Sequence, residues 1–584
     1  MRLVTTLLEE TWGSDDEKLL FLGEWCKSYH SNSWKSRSSE TLVFHWEDRT
    51  KLKNNHEYLK NLYEDILCSL SDNLNEYHGV DYPLRFWRIL IGPWLLTYIS
   101  VIWDRWESIR LAVEKYNIKS TIALCTKNKY SIPNDFIDVN SMYQDNYWNH
   151  YLYLNIIKNQ YPSINIQQID GAINQTNRLF SRNQKKIWKH TLSMILDKLI
   201  SYFPQKHTVF IYKGYFPIKS LIRLFLKLHQ IPRLFGELDQ NITYPLPDNS
   251  LRNENSLNLQ VQNDFEEYIS SNILKDIPVS YLEGFKLLFD LAEKVKYEPK
   301  VIFTANAHYA SDGELFRVWA GLKCAIGNTV LVISDHGGAF REIMNNFSHE
   351  DVIADIRTVW HIPYNDKQIQ MSPQKVIGKG LKRELGEYLS LIGLEISFYS
   401  FRCQTGPISS LILKDYEQNK MFVQSLPDFI FNFMKIRPYP NLGWNTKSRY
   451  IDDFGADKVD NSSDIFDTFA QAKIIVCTYP QTTFFQAMYS GHPTILLYND
   501  KYWKSYSVFD ALTSELFEAL IIFRCPKKAA KHINDIWENP LEWWDNPKTL
   551  LARNNFNYVC GSVDDNPIDQ WASFFKVYTT DVVN

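Results

Sequence analysis

The amino-acid sequence predicts an α/β protein in which two Rossmann-like domains face an interdomain cleft behind a helical N-terminal region. Three observations carry this prediction. Strand-like apolar runs alternate with amphipathic helical patterns in two separate stretches, about 151–380 and 381–584, and alternation of that kind builds parallel sheets covered by helices. A chain of 584 residues exceeds what one hydrophobic core supports, so a cleft between domains is expected. Glycine, hydroxyl and basic residues stand just after several predicted strands, where open parallel sheets bind their ligands.

Taken in order, residues 1–150 read as a helical region. HEYLKNLYEDILCSLSDNLNEYH and PWLLTYISVIWDRWESIRLAVEKY place apolar residues at three- and four-residue intervals. The uncharged run Ile89 to Trp103 is shorter than a membrane span and contains Gly92 and Pro93, so a buried helix is expected, with contact at a membrane surface as the second reading. Within 151–380, HTVFIYKGYFPIKSLIRLFLKLHQIPRLF reads as one strand–helix–strand unit, and the Asn- and Ser-rich stretch 239–262 as a polar, disordered loop or linker. KVIFTAN, a loop with His308 and Asp312, the helix of GELFRVWAGLKCA and the strand of TVLVISDHGG follow. From 381 onward come the strand of YLSLIGLEISFYS, a helix around YEQNKMFVQSLPDFIFNF, the short strand MKIRPYP, the helix DIFDTFAQA and the strand KIIVCTYP. A helix from Thr482, the strand TILLY and a helix near PKKAAKHINDIWENP complete this second alternation.

Composition narrows the function. A net charge of −4 provides no global basic field, so nucleic acid is not an expected partner. The eight cysteines form no CxxC pair and read as reduced thiols. The start, MRLVTTLLEETW, lacks a basic segment, a long apolar stretch and a small-residue cleavage site, which points to the cytoplasm. Neither a Walker loop nor a GxGxxG fingerprint is present. The acid pairs Asp452-Asp453 and Asp564-Asp565 read as turns or caps, so neither a metal site nor a bound cofactor is expected. Aromatic residues make up 15% of the chain; such rings fill cores and also stack on sugars.

Three clusters at strand ends carry the chemistry. Thr482 and Thr483 open a helix directly after KIIVCTYP, and a helix N-terminus with added hydroxyls suits a phosphate, although a plain cap uses the same residues. Arg437, in the stiff loop KIRPYP, supplies a cation after the preceding strand; an arginine there forks onto phosphate oxygens or is simply solvated. In Asp335-His336-Gly337-Gly338, the glycines let backbone approach a ligand and His336 is suited to proton transfer near neutral pH. The alternative is a tight turn. His308 and Asp312, after the neighbouring strand, are placed to converge on the same cleft.

With these motifs, the segments FLGEWC (21–26), HWEDR (45–49), LNEYH (74–78), RFWRILIGPWL (85–95), YLEGF (281–285), IRPYP with GW (436–444) and TYPQTTFFQAMYSGHPTILLY (478–498) stand in order along the chain. In them the chain resembles a bacterial family of transferases encoded in O-antigen and surface-polysaccharide clusters. Its C-terminal half is also similar to a wider group of GT-B enzymes, including transferases of CMP-activated ulosonic acids and polyol-phosphate transferases. These hold the donor phosphate with a basic-Pro element and a hydroxyl-rich turn, which Arg437-Pro438-Tyr439-Pro440 and Thr482-Thr483 match. Tyr439 stands where many of them have His, Gln486 where related sequences have Glu, and Asp335 where the family has Gln. The resemblance implies a GT-B glycosyltransferase of surface-polysaccharide assembly, with a nucleotide-activated sugar as donor, a CMP-linked ulosonic acid among the candidates, and a glycan or glycolipid as acceptor. His336, with Asp335 or Asp312, would exchange a proton with the acceptor hydroxyl. Arg437, Thr482, Thr483, Gln486, Gly337 and Gly338 would hold the donor. The expected place of work is the cytoplasm, with the inner face of the cytoplasmic membrane as the narrower alternative. A polyol-phosphate transferase using a CDP-linked donor and a non-catalytic scaffold of the assembly complex remain open alternatives.

Overall fold

The computed structural model describes the chain except residues 32, 126–131, 171–207, 234–237, 255, 339, 341–343, 380–383 and 580–584. Its described strands form three five-stranded parallel sheets.

The first sheet comprises β1 (Arg2–Val4), β2 (Leu19–Phe21), β3 (Ser39–Thr41), β4 (Ser120–Cys125) and β5 (Asn165–Asp170), in the order β3-β2-β1-β4-β5. Two long helices separate β3 from β4. In α1 (Arg49–His78), Asp48 caps the backbone N–H groups of Thr50 and Lys51, and Gly79 ends the helix at φ 63°. The second, α2 (Leu84–Lys115), carries Gly92 and Pro93 in its interior. The helical N-terminal region is therefore present, but it belongs to a third α/β unit that the helical reading of 1–150 did not include. That unit also reaches past 150 to take its fifth strand. A short helix, α3 (Phe136–Met142), lies between β4 and β5.

The second sheet runs β10-β9-β8-β7-β6, from β6 (Val209–Ile211), β7 (Val301–Thr304), β8 (Val330–Ser334), β9 (Ile356–Val359) and β10 (Gln368–Gln370). After β6 comes α4 (Ile218–Lys227), but the strand paired with β6 is β7, not the nearby apolar run at 231–235. That run falls partly outside the described residues. The stretch 239–262 is not a free linker. It contains the helix Asn249–Glu254, and Arg252 is buried with its guanidinium on both oxygens of Glu283 at 2.7 and 2.6 Å. Between β7 and β8 lies α5 (Glu314–Gly321), which packs on α2 and donates Arg317 Nε to the Leu90 carbonyl at 3.1 Å. The apolar run at Ile89 thus forms a buried core helix. Among the described residues, α2 is the one helix long and apolar enough to cross a membrane.

The third sheet contains β11 (Tyr388–Ile392), β12 (Met434–Arg437), β13 (Ala472–Cys477), β14 (Thr494–Leu497) and β15 (Ile522–Phe523), in the order β12-β11-β13-β14-β15. The helices α6 (Ile412–Gln424) and α7 (Thr482–Tyr489) belong to this unit. Its strand order reverses at β11/β13, the position where such sheets open a ligand crevice. The last helix, α8 (Pro567–Thr579), leaves the third unit and packs on α4 and β7 of the second.

Candidate functional site

The crevice lies where the carboxyl ends of the second and third sheets meet. β8 ends at Ser334, and the turn after it brings Gly338 N within 3.0 Å of Thr482 Oγ1 at the start of α7. A Cβ at position 337 would lie 2.1 Å from that same hydroxyl oxygen, so only glycine fits there. Two of the three sequence clusters therefore meet, one from each sheet.

The N-terminus of α7 is set up for an anion. Its N-cap residue, Gln481, makes no side-chain cap hydrogen bond, and the positive end of the helix lies at the crevice. Thr483 Oγ1 pairs with Tyr479 Oη at 2.7 Å. Gln486 is four residues beyond Thr482, hence on the same helix face, half-buried and without a side-chain hydrogen bond among the described residues.

Arg437 is placed differently from the sequence expectation. In register, Ile392 pairs with Arg437 on one side and with Cys477 on the other. β11 therefore stands between the arginine and the threonine turn, a separation of about 10 Å for two strand spacings. The two are on next-nearest strands, not on neighbours. Arg437 Nη1 donates to the Ser462 carbonyl at 2.8 Å and to Thr468 Oγ1 at 2.9 Å, and lies 3.6 Å from Asp460. Burial works against the Asp460 carboxylate, but bonds from Ser462 and Thr468 and the Arg437 charge hold its pKa below the usual range. Nε and Nη2 of Arg437 make no hydrogen bond among the described residues. Tyr479 links the two groups, because it bonds Thr483 and feels the Arg437 charge.

His336 is exposed, and its ring makes no hydrogen bond among the described residues. The surrounding walls push its pKa down by desolvation, an effect that the ring's exposure weakens; Lys375 and His308 act in the same direction, Glu350 and Asp335 against it. Its ring is therefore neutral at pH 7 and can accept a proton. Tyr215 stacks near it at 6.3 Å between ring centroids, and Lys375 Nζ sits 4.5 Å from the Tyr215 ring centre.

Its two expected carboxylate partners are otherwise engaged. Asp335 is buried: Oδ1 accepts from Arg357 Nη2 at 2.8 Å and Oδ2 from Trp360 N at 3.3 Å. It anchors the β8–β9 edge of the crevice rather than acting as a base. Asp312 is exposed in an ion pair with Lys213 at 2.9 Å. His308 is buried 3.9 Å from Glu350, behind the turn instead of in the cleft.

Sequence reasoning missed two groups. Glu395, fully buried after β11, accepts from Leu442 N at 2.6 Å, Trp444 N at 3.0 Å and Thr446 N at 3.1 Å, and so shapes the loop that follows Arg437. A cavity of about 140 Å³ opens at Pro480, with Tyr498, Trp503, Lys504 and Arg524 from the segments after β14 and β15 in its wall. The aromatic and basic residues of YNDKYWK, directly after the TILL strand, were the available signal. Among the described residues no group of three His, Cys, Asp or Glu is arranged to hold a metal ion.

Two Rossmann-like sheets with their carboxyl ends across one cleft, and a C-terminal helix returning to the earlier sheet, define a GT-B-type transferase architecture. The chain belongs to the LIC12162 family of transferases, whose family model matches residues 1–575. No curated protein matches it. Among solved structures it is similar to Acinetobacter baumannii MurG, at 10% identity and TM-score 0.33, covering 64% of this chain and 100% of that one. It is similar to a glycosyltransferase of Rickettsia africae at 12% identity and TM-score 0.31, covering 65% and 100%. S. aureus MnaA, solved with UDP, matches at 11% identity and TM-score 0.36, covering 64% and 97%.

Proposed function

We propose that this transferase moves a sugar from a nucleotide-activated donor onto a glycan or glycolipid acceptor in bacterial surface-polysaccharide assembly. The observation that carries the reading is the Gly338–Thr482 contact, which puts the start of α7 and the His336 turn on one crevice. The helix N-terminus, with the hydroxyls of Thr482 and Thr483, stabilises charge as the phosphate departs. Arg437 reaches the same anion with Nε and Nη2, and Gln486 meets the ribose. Neutral His336 takes the acceptor hydroxyl proton. A CMP-linked ulosonic acid is the donor we favour, and the inner face of the cytoplasmic membrane the place of work.

A thermal-shift panel of CMP, CDP, UDP, GDP and their sugar conjugates tests the reading, since preferential binding to the folded state raises the melting temperature. One nucleotide series should stand out, and His336→Ala should keep that shift while turnover with the selected donor falls roughly 10²- to 10⁴-fold. No shift with any nucleotide would leave a scaffold, and phosphorus in the product would make the enzyme a polyol-phosphate transferase. Full activity of His336→Ala would remove the proton role.

A further inference from the structure

A second cavity, of about 260 Å³, is lined by residues from all three α/β units: Phe136 and Tyr143 in and after α3, Tyr309 after β7, and Phe401 and Arg402 after β11. Each lining segment follows the carboxyl end of a strand, and β4 and β11 both flank the point where their sheet's strand order reverses. Two crevices of the kind that bind ligands in parallel sheets, and the carboxyl edge of the second sheet, thus open into one space. It shares no lining residue with the Thr482 crevice.

The wall chemistry is specific. Arg402 is half-buried, and its guanidinium has no hydrogen bond and no ion pair among the described residues. It is held only by two ring faces, 4.9 Å from the Tyr309 centroid and 4.7 Å from that of Phe401. The hydroxyls of Tyr143 and Tyr309 are buried with no hydrogen-bond partner among the described residues. Buried donors left unmet cost free energy, and a guanidinium stacked on aromatic faces keeps its edge free for a bidentate acceptor. The loop that carries it is pinned. Gln144 donates to the Tyr399 carbonyl at 3.2 Å, Tyr399 Oη bonds Asn146 at 2.7 Å, and buried Arg105 holds the Ser400 carbonyl at 2.6 Å. The cation is thus fixed in place before any ligand arrives, which lowers the ordering cost of binding.

We infer that this cavity is an acceptor subsite for a single sugar ring bearing a carboxylate or phosphate, an assignment that rests on the transferase reading above. The anion takes the edge of Arg402, the ring lies against the Tyr309 and Phe401 side of the wall, and sugar hydroxyls meet the Tyr143 and Tyr309 hydroxyls. The volume, below the roughly 300–1,000 Å³ of sites for drug-sized ligands, suits a single ring.

Titration of the full chain with glucuronate, glucose 6-phosphate and glucose, followed by ligand-observed NMR, tests the assignment. At least one anionic sugar should bind about tenfold or more tightly than glucose, and Arg402→Gln should abolish that difference. Tyr143→Phe should weaken the anionic sugar severalfold. The preferred probe tells a carboxylate from a phosphate acceptor. Equal binding of glucose, or an unchanged preference in Arg402→Gln, overturns the site. In Arg402→Gln the nucleotide-induced thermal shift should remain; its loss would assign Arg402 to the donor and overturn the acceptor role. If glucuronate binds while no nucleotide does, the transferase reading fails and an anionic-sugar site stands by itself.

Discussion

Arg437 shows how a single side chain divides between fold and site. One nitrogen of its guanidinium is tied to Ser462, Thr468 and Asp460, while the other two make no bond among the described residues. If those two hold donor phosphate, Arg437→Ala should weaken the nucleotide selected by the thermal-shift panel about ten- to a hundredfold in calorimetry, the weight of a charge-assisted bond. It should also lower the melting temperature of the free protein, because Asp460 loses its cation. Thr482→Val should cost less, since backbone donors at the helix start remain. Unchanged affinity with an intact fold would make Arg437 a clamp for the 460–468 segment, with the phosphate held by α7 alone. At this scale the sequence was informative where backbone chemistry decides. A His-Gly-Gly turn and a Thr-Thr helix start have local signatures, and both lie in the crevice. The partners of Asp335 and Asp312 were not legible, because Arg357 and Lys213 are brought to them only by the folded sheet.

Among the elements, the long helices, β6 to β8 of the second sheet and β11 to β14 of the third were legible because their patterns are long or strongly apolar, whereas β9, β10 and β15, of four, three and two residues, were not read as strands. The first sheet was not legible either. β1, β2 and β3 are three residues each, too short for alternation to rise above loop variation, and the 30 and 32 residues of α1 and α2 dominate the same region. The start of α5 makes a testable junction between units. Buried Glu314 accepts from Phe136 N at 3.1 Å, Ser280 Oγ at 3.0 Å and Tyr244 Oη at 3.0 Å. Burial, with Asp135 in the same direction and Arg317 opposing, raises its pKa to about 7. A carboxyl whose folded pKa exceeds its unfolded value near 4.5 binds more protons when folded, so its contribution to stability declines as pH rises between those values. Melting temperature should therefore drop across that interval, and the drop should be shallower in Glu314→Gln. Identical pH profiles for the two proteins would show that Glu314 titrates normally.

For the whole molecule, the sequence predicted two facing sheets, and the structure adds a last helix, α8, that crosses from the third unit to the second. The crossing is apolar. Trp571 is fully buried, with ring centroids 5.2 Å from Phe216 and 5.3 Å from Phe303, and its indole N–H donates to the Ser372 carbonyl at 3.1 Å. Phe575 adds a second ring, 5.4 Å from Phe303. The nearby Lys227–Asp569 pair is exposed, and such pairs contribute little, so the aromatic plug should hold α8 down. Trp571→Ala removes that plug and leaves both a cavity and an unmet carbonyl, a loss of about 3–5 kcal/mol. A chain of this size tends to unfold irreversibly, so the loss is best read as a lower apparent melting temperature at fixed scan rate and a shorter half-life on warming. Asp569→Ala should change neither by more than the measurement error. The nucleotide-induced shift should survive in Trp571→Ala, because the plug lies on the second sheet away from Thr482 and the crevice keeps both its walls. A Trp571→Ala protein as stable as the parent would mean that α8 is not docked in solution, and the returning helix would then play no part in holding the two sheets across their cleft.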